Sequence, residues 1–314
     1  GLGDVYKRQL HRFGVPSSDL PVALPSAIRS GLRSGRRWLT LLPGLALALS
    51  PLAASAETVL EKALRTGELV MVGTIDTPPL SSANSKGEAV GYAVEIGRRI
   101  DAELSAQLGG KVRIRFVPVD NPSAMVDAVA SGGAGLACGV AYSWERQMKV
   151  DYTLPIALSG LRVLTNKAID GSAASLKGLR LATVKGSLGA SALPNLQPAA
   201  TGVSFETVTA AVKALQAGQV DGVFGDSLLL AGQRSSLNLS ASRLLPDEPY
   251  AIFGVGCIVP ENNSDLANVA NLAIARLQAG YLEGRPDAVA AVDPWVGPNS
   301  ALAIPSDRIR TFFQ

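Results

Sequence analysis

The chain has 314 residues, of which 47% are apolar and 5% aromatic, with two cysteines and one histidine. Apolar side chains are plentiful and cysteine is scarce, which excludes a disordered polymer, a collagen-like chain and a small protein held together by disulfides. The length favours two compact domains over one.

The formal charge of +3 comes from the N-terminal part of the chain. Residues 1–56 contain seven basic and two acidic residues, which leaves 22 basic and 24 acidic residues beyond them. The remaining 258 residues therefore carry a formal charge of −2. This balance indicates no basic surface for nucleic acid, so we expect no nucleic-acid partner.

Residues 29–56 have the pattern of a secretory signal peptide. Four arginines precede an apolar run over residues 38–52, and the segment ends in the small residues 54–56, with cleavage expected after Ala56. The alternative is a retained membrane anchor, but the run is short for a span of about 20 residues and is interrupted by proline and glycine. We therefore predict an exported protein.

Residues 1–28 show no periodicity, and we interpret them as a leader outside the fold. They contain His11, the only histidine of the chain. A mature chain without histidine excludes Ser-His and Cys-His catalysis and histidine-ligated metal sites. We expect no metal and no cofactor.

The two cysteines, Cys138 and Cys257, form an even pair in a chain that is expected to be exported. Export permits a disulfide bond between them. Both also lie in apolar, strand-like segments, where buried free thiols are common. The sequence leaves these two alternatives open, because it does not give the separation that a disulfide requires.

From Leu69 onward, strand-like and helix-like segments alternate. The predicted strands of the first part are residues 69–74, 112–117 and 135–140. One helix face is predicted by the four-residue spacing of Ile96, Ile100, Leu104 and Leu108. A second helix is predicted to begin after Asn121 and to end at Ser131, where a capping residue and glycines stand. This alternation favours a parallel sheet covered by helices.

The alternation restarts in the second part, with strands predicted at 179–184 and 220–224 and a helix from Thr207 to Gly218. Two similar units predict two lobes. We assign residues 57–164 and 256–314 to lobe 1 and residues 165–255 to lobe 2. The segments 166–175 and 254–256 are then the expected crossings between the lobes, because both are rich in small residues.

Polar groups follow the predicted strand ends, where open α/β sheets bind their ligands. They are Asp76, Ser143, Glu145, Arg146, Lys185, Ser187, Gly189 and Asp226. A guanidinium can hold a carboxylate by two parallel hydrogen bonds and a carboxylate can hold an ammonium group, so the set fits a zwitterion.

Each of the main candidates also has a structural alternative. Arg146 and Glu145 could form an exposed ion pair of little energetic consequence. Asp226 could cap the helix that follows it. Asp76 could stabilise the turn at Thr77-Pro78-Pro79.

The sequence resembles the family 3 extracellular solute-binding proteins, the polar amino acid receptors of ABC importers. The resemblance spans roughly residues 69–280, and its motif order is more specific than any one piece. The matching segments are Val72-Gly73-Thr74, Pro79-Leu80-Ser81, GEAVGYAVEI (87–96), GVAYSWERQMKVD (139–151), Leu176-Lys177-Gly178-Leu179, Gly186-Ser187 and LQAGQVDGVFGD (215–226). It implies an α/β, two-lobed type II periplasmic binding protein fold, with two hinge-crossing strands and a ligand cleft between the lobes.

The resemblance also implies roles for individual residues. Arg146 would bind the α-carboxylate of the ligand, with Ser187 and the amide of Leu188. Asp226 would bind the α-ammonium group, with the carbonyl of Gly139 and Asp76 as a further candidate.

Two other positions fall on threonines of the family's GMTxTxER segment. Ser143 falls on the second threonine and keeps its hydroxyl. Ala141 falls on the first threonine and offers only its backbone groups. This departure bears on the side-chain preference of the ligand site more than on the amino acid class.

Two functions are compatible with these residues and with the resemblance. The first is a monomeric periplasmic receptor that delivers an amino acid to the permease and ATPase subunits of an ABC importer. The second is an enzyme on the same scaffold, similar to cyclohexadienyl dehydratase, for which Glu145, Asp76 or Glu206 would serve as the acid or base. The receptor is favoured, because the polar groups match zwitterion capture and the enzyme rests on isolated acids.

Overall fold

The computed structural model describes residues 57–314. The leader predicted over residues 1–28 and the signal peptide predicted over residues 29–56 lie outside the described residues. None of the helices within the described range combines the length and the apolar character that a membrane span requires.

The first lobe begins with a helix and three parallel strands that carry helices between them. Its elements are α1 (Val59–Thr66), β1 (Glu68–Gly73), β2 (Asp76–Thr77), β3 (Ser81–Ala83), β4 (Ala89–Val90), α2 (Tyr92–Gln107), β5 (Arg113–Pro118), α3 (Pro122–Ala130), β6 (Leu136–Ala141) and α4 (Trp144–Gln147). The strands β5, β1 and β6 lie side by side in parallel, as the βα alternation predicts.

Helix α2 shows why these residues form these elements. Its residues Ile96, Ile100 and Leu104 are almost fully buried, as their four-residue spacing predicts. The helix begins at Gly91, whose φ of 138° favours glycine. A Cβ at this position would lie 2.3 Å from the carbonyl oxygen of Leu80, so a larger residue does not fit here.

The second lobe repeats the alternation. Its elements are β8 (Arg180–Val184), α5 (Leu188–Leu196), β9 (Thr201–Phe205), α6 (Val208–Gln216), β10 (Gly222–Asp226), α7 (Ser227–Ser236) and β11 (Arg243–Leu245). The strands β10, β8 and β9 are parallel neighbours. The buried face of α6 packs on this sheet through Ala211, Val212 and Leu215.

Two long strands join the lobes, namely β7 (Val150–Thr165) and β12 (Ile252–Pro260). Residues of β7 up to Gly160 pair with β12, whereas residues from Leu161 onward pair with β10 and β11. The change of partner therefore lies inside β7, upstream of the segment 166–175 where the first crossing was predicted. One uninterrupted strand carries the chain across, so no turn residue marks the point. The lobe boundaries at 164/165 and 255/256 remain predictions.

The C-terminal segment adds α8 (Ser264–Leu282), α9 (Pro286–Val296) and α10 (Ser306–Phe313). Buried residues of all three helices, including Leu277, Val292 and Ile309, belong to the main core of the first lobe. These helices belong to the segment 256–314 that was assigned to lobe 1, and they pack on that lobe.

Cys138 on β6 and Cys257 on β12 form a disulfide bond between neighbouring antiparallel strands. Both cysteines are buried in the core of the first lobe. Of the two alternatives left open by the sequence, the structure has the bonded one. The bond connects parts of the chain that are 119 residues apart.

Candidate ligand-binding cleft

Arg146 lies on α4, directly after the end of β6, and its side chain points toward the second lobe. The hydroxyl of Ser143 caps this helix by accepting a hydrogen bond from the Arg146 amide at 3.3 Å. The guanidinium donates from Nη1 to the Ala141 carbonyl at 2.7 Å and from Nη2 to the Gly186 carbonyl at 2.9 Å. Gly186 follows β8 of the second lobe, so this cation bridges the lobes. Only 9% of Arg146 is exposed, which separates it from the exposed ion pair that was the alternative.

Asp226 ends β10 and caps α7. Its Oδ1 accepts hydrogen bonds from the amides of Leu228 at 2.9 Å and Leu229 at 3.4 Å. The hydroxyl of Ser159, on the crossing strand β7, donates to the same oxygen. The capping alternative is therefore realised at the same place where the strand-end pattern predicted a cleft carboxylate.

Burial and polar contacts shift the pKa of Asp226 in opposite directions. Burial raises the pKa of this carboxyl, while the Ser159 hydroxyl, the two α7 amides and the positive charge of Arg146 lower it in part. The positive charge of Arg146 thus acts on the Asp226 carboxylate, while the guanidinium itself donates to the carbonyls of Ala141 and Gly186. A buried anion of this kind gains from a cationic group placed beside it.

Ser187 stands between two cavities of the cleft. It caps α5 by accepting a hydrogen bond from the Ala190 amide at 3.2 Å. One cavity, of about 250 Å³, is lined by Ser143, Arg146, Ser187 and Leu188 among others. The other, of about 50 Å³, is lined by Asp76, Ser187 and Asp226 among others. Arg146 and Asp226 therefore line neighbouring cavities that meet at Ser187.

Gly139 and Ala141 lie on β6 behind this site. Gly139 has a φ of 84°, and a Cβ there would approach Ala93 to 3.2 Å. The Ala141 carbonyl accepts hydrogen bonds from Arg146 and from the Tyr152 hydroxyl at 2.8 Å. Neither Gly139 nor Ala141 is on the wall of the two cavities, and Ala141 acts by orienting the guanidinium.

Asp76 connects the lobes from the other side of the cleft. Its carbonyl oxygen accepts hydrogen bonds from Gln233 Nε2 at 2.5 Å and from the Thr209 hydroxyl at 3.5 Å, and both donors belong to the second lobe. Burial raises the pKa of the Asp76 carboxyl, although Thr207 and Thr209 lower it in part. Its Oδ2 is buried and has no hydrogen-bond partner among residues 57–314.

Sequence reasoning missed Ser159 and Gln233, which make hydrogen bonds between the lobes, and Tyr152, which donates to the Ala141 carbonyl within the first lobe. Ser159 lies within a strand and Gln233 within a helix, so neither position is marked by a motif or a strand end. Thr207 was predicted only as the start of α6. The Thr207 hydroxyl caps that helix by accepting a hydrogen bond from the Ala210 amide at 3.1 Å.

Of the acids proposed for the enzyme alternative, Asp76 and Glu206 line the smaller cavity together with Asp226, and Glu145 lines the larger one. Glu206 is exposed and forms an ion pair with Lys185 at 3.3 Å. Within residues 57–314, no group of three or more His, Cys, Asp or Glu side chains is arranged to hold a metal ion.

Two α/β lobes joined by two strands, with charged side chains on both walls of the intervening cleft, define a two-lobed binding protein. Residues 69–282 match the bacterial extracellular solute-binding proteins, family 3. This match covers more than half of the chain, and the chain belongs to that family. The predicted family and fold class are thereby confirmed.

Three known proteins illustrate the similarity. ABC transporter arginine-binding protein 1 of Escherichia coli (strain K12) is 25% identical over 206 residues, which cover 64% of this chain and 82% of that protein. The structure of a cysteine-binding protein from Campylobacter jejuni has a TM-score of 0.68 at 18% identity and covers 80% of this chain and 97% of its own.

The third is the ancestral amino acid-binding protein AncCDT-1, described as a precursor of cyclohexadienyl dehydratase. Its TM-score is 0.63 at 18% identity, with 76% of this chain and all of its own covered. At such identities the two structural similarities establish the fold alone.

Proposed function

We propose that the chain captures a polar amino acid and delivers it to the permease and ATPase of an ABC importer. The names of the curated relatives support this assignment, since they are binding proteins of amino acid transporters. The observation that carries it is the placement of a buried guanidinium and a partly buried carboxylate on two neighbouring cavities that share Ser187. Arg146 comes from the first lobe and Asp226 from the second.

In the proposed complex, Arg146 binds the α-carboxylate of the ligand. A guanidinium has five N–H donors, and two of them serve the carbonyls of Ala141 and Gly186, so others are available for two parallel bonds to a carboxylate. Ser187 and the amide of Leu188, in the first turn of α5, add donors, because helix N-terminal amides have no carbonyl partner within the helix.

Asp226 binds the α-ammonium group in the same complex. Its carboxylate already receives the α7 amides and the Ser159 hydroxyl, which hold it in one orientation. The ammonium group would add the opposite charge that a buried carboxylate lacks, and a buried pair is tolerated only when both charges have partners. Asp76 stands across the smaller cavity as a further acceptor.

The cavity sizes indicate how the ligand enters. A space of about 50 Å³ holds only a few water molecules, since each needs roughly 10–15 Å³. We infer that the lobes separate, that the two cavities join at Ser187, and that the lobes close again on the ligand. Because the ligand contacts both lobes, it favours the closed form over the open one. Closure also removes water, which strengthens the ion pairs inside.

The remaining assignments are proposals of the same kind. We infer that the signal peptide over residues 29–56 is cleaved after Ala56 and that the mature protein acts as a monomer in the periplasm. The family is extracellular by description, which supports export. We also infer that the protein has no catalytic activity of its own, in keeping with the binding proteins it is similar to.

A thermal-shift panel of the natural amino acids tests the proposal. A ligand at 100 times its Kd adds about 2.7 kcal/mol to the free energy of unfolding. We expect at least one amino acid to raise the melting temperature of the purified protein. The Arg146→Ala variant should lose this shift, whereas Lys149→Ala, a neighbouring cation on the same cavity wall, should keep it.

The enzyme alternative has one observation in its favour, the raised pKa of the Asp76 and Asp226 carboxyls. A carboxyl with a raised pKa keeps its proton to a higher pH than a free carboxyl and can act as a general acid. If no amino acid raises the melting temperature and the protein turns over a prephenate-like acid, the enzyme function is favoured over the receptor function.

A further inference from the structure

A large groove lies outside the cleft, where α7 and β7 face the C-terminal segment. It has a volume of about 1080 Å³ and is bounded by residues of both lobes. Its walls share no residue with the two cleft cavities. We call it the arginine groove, after Arg162 on β7, Arg234 on α7 and Arg308 on α10.

The three guanidiniums of the arginine groove are not neutralised by acids. Arg162 donates from Nη2 to the Asp247 carbonyl, and its Nε is buried without a hydrogen-bond partner among the described residues. Arg234 donates from Nε to the Leu239 carbonyl at 3.4 Å. In the described part of the chain, none of the three forms an ion pair, and the residues that line the groove include no carboxylate side chain.

This charge pattern differs from that of the protein as a whole. Residues 57–314 have slightly more acidic than basic residues. All three arginines line one concave surface whose lining residues include no carboxylate side chain, so ion pairing across the groove does not explain their placement. A buried N–H group without a partner destabilises the protein, because it has lost its hydrogen bonds with water.

Part of the remaining wall of the arginine groove is apolar, and the rest is formed by the polar residues Ser227, Ser235, Asn238 and Ser240. Leu158 on β7 is 55% exposed, and Leu302, Ile304 and Phe312 of the C-terminal segment are half-buried beside the same space. Small-molecule sites combine mostly apolar walls with a few polar groups that fix orientation. The mixture of guanidiniums and aliphatic side chains fits a molecule with one anionic end and an apolar body.

One side of the arginine groove is built by residues that follow the family match. The match ends at residue 282, whereas the C-terminal wall comes from residues 296–313. The groove is therefore formed in part by a segment that the amino acid cleft does not use.

From these observations we propose that the arginine groove is a second binding site, for an organic anion with an aliphatic body, such as a medium-chain carboxylate. The guanidiniums bind the anionic end by charge-assisted hydrogen bonds. The aliphatic body lies along Leu158, Ile304 and Phe312 and removes their apolar surface from water.

Isothermal titration of the purified protein with sodium decanoate, below its micelle concentration, tests this proposal. We expect decanoate to bind at least tenfold more tightly than decyltrimethylammonium, which has the same chain but a cationic head. Acetate, which has the anionic head without the chain, should also bind at least tenfold more weakly. Equal binding of the decanoate anion and the decyl cation would contradict the proposal, because it would indicate a merely apolar surface.

Substitutions in the arginine groove test whether decanoate binds there. Arg234→Gln and Arg308→Gln should each weaken decanoate binding by about tenfold, whereas Arg243→Gln, an exposed arginine outside the groove, should leave it unchanged. Leu158→Ser should weaken it as well, with Ile252→Ser as the control, since Ile252 is 66% exposed and does not line the groove. Absence of decanoate binding, or binding that none of the groove variants changes, overturns the proposal.

The amino acid cleft is tested separately with the Arg146→Ala variant. Decanoate should bind this variant as tightly as the unaltered protein, because Arg146 does not line the arginine groove. Loss of decanoate binding in Arg146→Ala would place the anion in the amino acid cleft and contradict a second site.

Discussion

Replacement of Gly232 by alanine is expected to hold the two lobes apart. Gly232 lies on α7 of the second lobe, against the Pro78 backbone of the first. A Cβ at this position would lie 2.0 Å from the Pro78 carbonyl oxygen and 2.4 Å from its carbonyl carbon. Favourable contacts between carbon atoms begin at about 3.5 Å, so Pro78 and α7 must separate by about 1 Å or more.

This separation would break the contact beside it. The neighbouring residue Gln233 is 3% exposed and donates to the Asp76 carbonyl at 2.5 Å, so the displacement would lengthen this interlobe hydrogen bond beyond its range. The helix itself should not suffer, because alanine is about 1 kcal/mol more favourable than glycine inside a helix. The cost therefore falls on the closed arrangement and not on the fold of either lobe.

We expect Gly232→Ala to bind its amino acid at least tenfold more weakly, which corresponds to about 1.4 kcal/mol. Isothermal titration measures the affinity. In the presence of ligand, small-angle scattering should give a larger radius of gyration for Gly232→Ala than for the unaltered protein. Gly254→Ala is the control, because its Cβ would lie 3.6 Å from the nearest atom, Pro155 Cβ. Unchanged affinity in Gly232→Ala would refute the view that this contact supports closure.

Three further outcomes follow from the structure. Burial raises the pKa of Asp226, and an ammonium group binds only the ionised form of this carboxyl. Amino acid affinity should therefore fall as the pH is lowered from about 7 to 4. Titration at several pH values checks this, and an affinity that rises would contradict it. The raised pKa of Asp76 means that ionisation of this carboxyl destabilises the folded state. Asp76→Asn should therefore leave the urea midpoint at neutral pH unchanged or higher, and a clearly lower midpoint would contradict this. Replacing both Cys138 and Cys257 by alanine should lower the free energy of unfolding by about 2–5 kcal/mol in urea, and an unchanged value would mean that the bond adds no stability.

Much of the architecture could be predicted because it depends on local patterns. The four-residue spacing of Ile96, Ile100 and Leu104 marks a helix face, and the structure buries all three. Caps such as Asn121 also act within a few residues of the chain. The crossing inside β7 could not be predicted, because strand pairing with β12 and then β10 is decided by residues far away in sequence.

The candidate site residues could be predicted to the extent that they lie at strand ends. Arg146, Asp226 and Ser187 were proposed in this way; the structure places Arg146 and Asp226 on neighbouring cavities, and their binding roles stay predictions. Ser159 and Gln233 were missed because each acts across the lobes from the middle of an element. Contacts of this kind exist only in the folded chain, so no periodicity or motif of the sequence predicts them.

A cycle that changes the ligand and the protein together tests the central claim most directly. The affinities of the best amino acid from the panel and of its α-amide are measured by isothermal titration with the unaltered protein and with Arg146→Met. If the guanidinium binds the α-carboxylate, the amide should bind the unaltered protein at least tenfold more weakly, and this difference should vanish in Arg146→Met. An equal difference in both proteins would mean that Arg146 does not contact the carboxylate, and the proposed mode of binding would be wrong.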